Sequence, residues 1–239
     1  MTRYLLIHGS WHGAWCWYKI GPRLKADGHQ VIVPDLLGCA SHRGLLQFVS
    51  LERMLRQVAT TLAPDQKTTI VVHSRYGVLA SLLAERFPEK IARVIYLASF
   101  MLPDQQRAAT YFRDDRGSTL RPFITISKAG MWDALHPDIY REGLYHDCAE
   151  EDVCLAASLL CREPLRPALT KLSLSAENFG RVPRAYIRLT EDRAVTPALQ
   201  DRCINEVGVD RVEDLKASHS AYFSMPNALT ETIRSLCRT

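Results

Sequence analysis

The segment Thr69-Ile70-Val71-Val72-His73-Ser74-Arg75-Tyr76-Gly77 joins a β-branched run to a single serine, and the apolar stretch Val78–Ala84 follows at once. A strand that turns within one or two residues into a helix holds its serine on a sharp bend, with the hydroxyl exposed at the carboxyl edge of a sheet. The N–H of the next residue, Arg75, then points at whatever the hydroxyl attacks. Two further residues complete the chemistry in chain order: Asp192 in Leu189-Thr190-Glu191-Asp192 and His219 in Ala217-Ser218-His219-Ser220. A serine hydroxyl is a weak nucleophile until a histidine takes its proton, and the histidine needs a carboxylate to hold its tautomer and its charge. Ser74, His219 and Asp192 are therefore the candidate catalytic set for covalent acyl transfer. Glu191 is the neighbouring rival; the position after the Thr-Glu pair suits the turn better, which assigns the acid to Asp192.

A second loop, His8-Gly9-Ser10-Trp11-His12-Gly13, follows the first strand-like run. Its glycines let backbone approach a substrate, and the N–H of Ser10 can join that of Arg75 around a developing oxyanion. His8 and His12 read as loop hydrogen-bonding groups, with His12 also a candidate for substrate contact. Trp11, Trp15 and Trp17 are candidates for the wall of an apolar acyl pocket, with core packing the alternative. The bend itself departs from the common pattern, which has glycine two residues before and two after the serine. Val72 and Tyr76 stand there, and only Gly77 remains. Their side chains need room that neighbours must give up, and Tyr76 becomes a candidate to intrude on the pocket.

The elements that position these residues follow from hydrophobic periodicity. Tyr4–Ile7, Gln30–Pro34, Thr68–Val72 and Ile91–Leu97 read as strands. They are separated by helices over Tyr18–Ala26, Leu51–Leu62 and the stretch after Ser74 to Arg86. Short apolar runs alternating with helices imply a parallel sheet covered on both faces. The rhythm breaks at Phe100-Met101-Leu102-Pro103-Asp104 and resumes with strands over Val182–Leu189 and Arg211–Lys216. Between these two come a helix from Pro197 to about Val207, and after them a closing helix over Asn227–Cys237. Positions 103–180 show helical patches (Pro137–Leu144, Glu150–Leu160, Pro167–Leu172) and no buried strand, which suggests a helical cap over a core made of 1–102 and 181–239. Phe112, Phe123, Trp132, Tyr145 and Leu159 are the cap's candidates for lining the pocket, with cap core the alternative.

Bulk composition excludes several classes. With 239 residues, 47% hydrophobic and 23% charged, the chain has the make-up of an ordinary globular protein. A net charge of +4, without a dense Lys/Arg run interleaved by aromatics, argues against a nucleic-acid groove. No apolar stretch approaches the roughly 20 residues that span a bilayer, and the opening run reads as a core strand and not a secretory leader. Seven cysteines with no C-x-x-C pair argue against a disulfide framework and a zinc site, and for a reducing, cytoplasmic setting. No metal and no cofactor is expected.

Four segments carry a resemblance that covers nearly the whole chain: His8-Gly9-Ser10-Trp11-His12-Gly13-Ala14-Trp15-Cys16-Trp17, Tyr145-His146-Asp147-Cys148 with Glu151-Asp152-Val153, Phe179-Gly180-Arg181-Val182-Pro183-Arg184, and Thr190-Glu191-Asp192. They resemble the α/β-hydrolase group of plant methylesterases, plant hydroxynitrile lyases and bacterial esterases. The bacterial branch is the nearest, because it commonly carries His-Ser-Arg at the bend and the Tyr-His-Asp-Cys segment. The resemblance implies an α/β fold of the α/β-hydrolase kind: a mostly parallel sheet flanked by helices, with a helical lid inserted after the sixth strand. By position it implies Ser74, Asp192 and His219 as triad and Ser10 and Arg75 as oxyanion donors. The substrate it implies is a small-molecule ester; members of that branch cleave small aryl esters, pyrethroid esters and benzimidazole carbamates. The lyases of the group carry a lysine just after the catalytic histidine, where this chain has Ser220. A non-catalytic binding protein on the same fold is the other alternative, supported only by Val72 and Tyr76. No nucleic-acid or membrane partner is implied, and a homodimer is the one protein partnership left open.

Overall fold

The computed structural model describes residues 1–39 and 46–238. Among them, strands follow in chain order as β1 (Arg3–Ile7), β2 (Gln30–Ile32), β3 (Thr68–His73), β4 (Ile91–Leu97), β5 (Ile124–Ile126), β6 (Trp132–Leu135), β7 (Glu163–Pro164), β8 (Arg184–Leu189) and β9 (Arg211–Leu215). Six of them form one sheet in the order β2-β1-β3-β4-β8-β9, with every pairing parallel. All six residues of β3 are buried, as a central strand covered on both faces requires.

Alternation of side chains divides the core into two layers. Leu5, Ile7, Ile70, Val72, Val94 and Tyr96 pack with the helices Leu51–Ala59, Gly77–Arg86 and Pro197–Val207. Tyr4, Leu6, Val71, Ile95 and Leu97 face the other way, against the helices Ile20–Ala26 and Pro226–Cys237. The helix expected to reach Leu62 stops at Ala59. Beyond it the hydroxyls of Thr60 and Thr61 donate to the carbonyls of Gln57 and Val58, so these side chains take over the acceptors that end the helix.

The chain leaves β1 for β2 on one side and leaves β3 for β4 on the other. Where neighbouring parallel strands send their connections in opposite directions, a crevice opens at their carboxyl ends. Ser10 follows β1 and Ser74 follows β3, which puts both at that crevice.

Between β4 and β8 the chain makes its long excursion. The excursion leaves after the fourth strand in chain order and not after a sixth, because only three strands of the sheet precede β4 among the described residues. It is also not purely helical: β5, β6 and β7 form a three-stranded antiparallel sheet. These strands have three, four and two residues, too short for an alternating pattern to stand out. Glu150–Leu159 is a helix, whereas Pro137–Leu144 breaks into a 3-10 turn and a π-helical turn, and Pro167–Leu172 shrinks to the turn Arg166–Leu169. Asp152 ties this region to the first loop by accepting from the Tyr18 hydroxyl and Lys19 Nζ, each at 2.6 Å. No helix among the described residues is long and apolar enough to cross a membrane.

Candidate active site

β3 ends on His73, the single turn Ser74–Tyr76 follows, and the helix Gly77–Arg86 begins directly after it. Ser74 has φ 57°, in the left-handed region that a β-carbon makes costly by about 1–3 kcal/mol. The surrounding structure holds it there. The Ser74 carbonyl accepts from the Phe100 N–H at 3.0 Å and from Ser99 Oγ at 2.6 Å. The close approach expected of flanking glycines is supplied elsewhere. A β-carbon on Gly9 would lie 2.7 Å from His73 Nδ1 and 2.9 Å from Ser74 Cβ, and one on Gly77 would lie 2.5 Å from the Phe100 carbonyl oxygen. Val72 and Tyr76 meanwhile pack into the core layer beside the helix Gly77–Arg86. Gly77→Ala is accordingly expected to destabilise by about 1–3 kcal/mol through overpacking against backbone. Thermal unfolding checks this, and an unchanged Tm would contradict the packing account.

His219 brings its Nε2 to 3.1 Å from Ser74 Oγ, and its Nδ1 lies 2.6 Å from Asp192 Oδ2. The other oxygen of Asp192 accepts the N–H groups of Ala194 and Val195 at 2.7 and 3.0 Å. All three side chains are buried but for a few per cent of their surface. Glu191 instead turns outward, 3.6 Å from Lys216 Nζ. Two anchors hold the His219 loop. His73 Nε2–H donates to the His219 carbonyl at 2.9 Å, and the cap residue Asp147 accepts the Ser218 N–H at 2.8 Å. Burial pushes His73 well below the usual imidazole range, with the neighbouring imidazoles acting in the same direction, so this donor is a neutral ring.

Around the first loop the hydrogen bonds are equally specific. His12 Nδ1–H donates to the Ser10 carbonyl at 2.6 Å, and its Nε2 accepts from the hydroxyls of Tyr145 and Tyr222 at 2.6 and 3.1 Å. Burial pushes His12 down to about 3, so it too is neutral. Trp11 has φ 62° and commits its backbone N–H to Glu163 Oε2 at 2.6 Å. Ser10, the residue before it, lines the crevice together with Ser74. Across the crevice the Arg75 guanidinium binds Asp133 at 2.8 and 3.3 Å. Burial works against the charge on Arg75, but Asp133 and Glu163 hold it above its ordinary value. Burial pushes Glu163 up to about 7, opposed by Arg75 and by its bonds from Tyr76 and Trp11 and reinforced by Asp133.

Residues 4–232 match the model of the alpha/beta hydrolase family. The chain belongs to that family.

Among relatives, this hydrolase is 30% identical to a putative chloroplastic methylesterase 14 of Arabidopsis thaliana, over 100% of its own length and 72% of the relative's. Its structure superposes on that of polyneuridine aldehyde esterase with a TM-score of 0.90 and 27% identity, covering 100% of both chains. A pyrethroid hydrolase from Sphingobium faniae JZ-2 gives a TM-score of 0.89 and 28% identity, covering 98% of this chain and 96% of that one.

The hydrolase's cavity of about 330 Å³ opens onto Ser10, Ser74, Arg75 and His219. Phe100, Phe112, Leu120, Ile124, Leu169 and Val195 line its apolar part. Of the residues expected to contact substrate, Trp11 does line it, as does Phe112 of the cap candidates. His12, Tyr76, Trp132 and Tyr145 do not. His12 and Tyr145 bond each other beneath the loop, and Tyr76 is turned away to donate its hydroxyl to Glu163. Trp132 lies under the Arg162 guanidinium, 4.2 Å from its ring centroid. Asp133 and Glu163 escaped sequence reasoning. Their one trace was at the bend, where a charged Arg75 and a hydroxyl-bearing Tyr76 both need buried polar partners.

Proposed function

We propose that this hydrolase cleaves small apolar or aryl carboxylic esters, carbamate analogues included, through an acyl-enzyme on Ser74. It is a carboxylesterase-type serine hydrolase. His219 Nε2 takes the Ser74 proton as Oγ bonds to the carbonyl carbon, and Asp192 stabilises the imidazolium. The N–H groups of Ser10 and Arg75 hold the oxyanion. Collapse breaks the carbon–oxygen bond to the alcohol, which leaves with the proton from His219. Water then attacks the acyl carbon, His219 again taking a proton, and the acid departs from the regenerated Ser74.

The observation that supports this most directly is the chain of contacts from Ser74 Oγ to His219 Nε2 at 3.1 Å and from His219 Nδ1 to Asp192 Oδ2 at 2.6 Å. The apolar cavity beside it favours an ester with a compact hydrophobic body. A lyase reaction would need a cation beside His219. Ser220 is buried there, and its hydroxyl donates to Tyr222 at 3.1 Å.

A stopped-flow trace with p-nitrophenyl butyrate is expected to show a burst of p-nitrophenol near one equivalent per chain. Mass spectrometry of the quenched enzyme should find a butyryl adduct on Ser74. Turnover should fall as the acyl chain outgrows the cavity. An enzyme that turns the ester over with no adduct on Ser74 would sink the covalent route.

A further inference from the structure

On the cap, β6 and β7 place Asp133 and Glu163 directly opposite each other in register, with both side chains almost fully buried. Adjacent buried carboxylates repel and each loses its hydration, so such a pair persists only where donors surround it. Here the donors come from two places and reach both carboxylates. Trp11 of the first loop donates Nε1–H to Asp133 at 2.7 Å and its backbone N–H to Glu163 at 2.6 Å. The bend donates the Arg75 guanidinium to Asp133 and the Tyr76 hydroxyl to Glu163. Each carboxylate is therefore bonded both to the loop after β1 and to the turn after β3, Asp133 by two bonds from Arg75 and Glu163 by one from Tyr76. Trp11 is also in the left-handed region, a conformation that a bulky side chain keeps only when its surroundings over-determine it. The Arg75 guanidinium sits over the Trp11 ring at 5.4 Å, which closes the arrangement.

We propose that Asp133 and Glu163 are positioning residues: this pair of cap carboxylates clamps the loop carrying Ser10 to the turn carrying Arg75 and so sets the spacing of the two oxyanion donors. The proposal rests on the reading of those two N–H groups as the oxyanion hole. It explains why an arginine and a tyrosine occupy positions 75 and 76: they are the turn's half of the clamp. It also makes docking of the cap and assembly of the oxyanion hole one event. Besides Asp133, Arg75 and Tyr76, the charged or titratable groups facing Glu163 are Cys39, whose Sγ lies 3.5 Å from Oε2, and Cys161 beside Cys39.

The test uses p-nitrophenyl butyrate turnover and two inhibitors of one skeleton. A trifluoromethyl ketone adds to the serine as an oxyanion, and the corresponding methyl ketone binds without doing so. Glu163→Ala is expected to lower kcat by about 10–100-fold, the size of loss that follows ångström-scale misplacement, with KM within about twofold. Trifluoromethyl-ketone affinity should fall in proportion while methyl-ketone affinity stays put. Glu163→Gln should restore kcat to within about threefold, since its amide can accept from Trp11 N–H and donate to the Tyr76 oxygen. Tyr76→Phe, which keeps the packing volume and removes one bond of the clamp, should show a smaller loss of the same kind. Wild-type kcat in both Glu163→Ala and Tyr76→Phe, an inactive Glu163→Gln, or equal loss of both inhibitors overturns the clamp alone. A wild-type enzyme with no preference for the trifluoromethyl ketone overturns the oxyanion reading and the clamp with it.

Discussion

Ser74→Ala is expected to lower kcat on an aryl ester by about a millionfold, the loss seen when a serine nucleophile is removed from a triad. In the proposed mechanism the hydroxyl forms the covalent bond, so no neighbouring group replaces it. Among the described residues Ser10 is the other hydroxyl-bearing residue lining the cavity, and it is Ser74 whose Oγ lies 3.1 Å from His219 Nε2. What survives is binding and oxyanion stabilisation acting on bulk water. The fold should be untouched, because the Ser74 bonds that pin the turn are made by its carbonyl, to Phe100 and Ser99, and an alanine keeps that carbonyl. Initial rates at saturating ester, with Tm measured alongside, check both halves. A variant retaining more than about a hundredth of the activity would contradict the assignment of the nucleophile.

Asp192→Asn comes second, at about ten-thousandfold in kcat with little change in KM. The cause is directional. One oxygen of Asp192 is already held by the N–H groups of Ala194 and Val195, at 2.7 and 3.0 Å. In the asparagine variant the amide oxygen must stay on those two donors, which turns its NH2 toward His219 Nδ1. That nitrogen then has to accept, the ring proton moves to Nε2, and the nitrogen facing Ser74 can no longer take its proton. The side chain has the same size and the neighbouring bonds survive, so Tm should hardly move. Wild-type turnover in this variant would show that the tautomer of His219 is not set by residue 192.

The docking of the cap has a chemical counterpart in the segments that carried the family resemblance. Asp147 and Asp152, both from the second of those segments, are anchors and do not line the cavity. Asp147 holds the Ser218 N–H next to His219, and Asp152 binds Tyr18 and Lys19 behind the first loop. Their place in the motif reflects the cost of leaving buried donors without a partner at the two loops that carry Ser10 and His219.

Sequence alone was enough for the order of strands and helices in the core and for naming the serine, histidine and aspartate that the fold brings into contact, Ser74, His219 and Asp192. Core strands declare themselves because burial on both faces demands unbroken apolar runs, as in Ile70-Val71-Val72, and the residues just past such runs must reach the carboxyl edge of a parallel sheet. It also showed that something unusual had to happen around Ser74, since Val72 and Tyr76 stood where glycine was expected. Where the room came from was a tertiary matter. Gly9 and Gly77 supply it, one from the loop after β1 and one from the first residue of the helix after the bend, and no local pattern relates them. The same holds for the cap. Its strands are too short to show a period, and the pairing of Asp133 with Glu163 exists only because two segments thirty positions apart meet in register. Which aromatic side chains face the cavity was likewise undecidable from type. A tyrosine or histidine is equally at home lining a pocket or satisfying a buried partner, and only the partner's position settles which one it does.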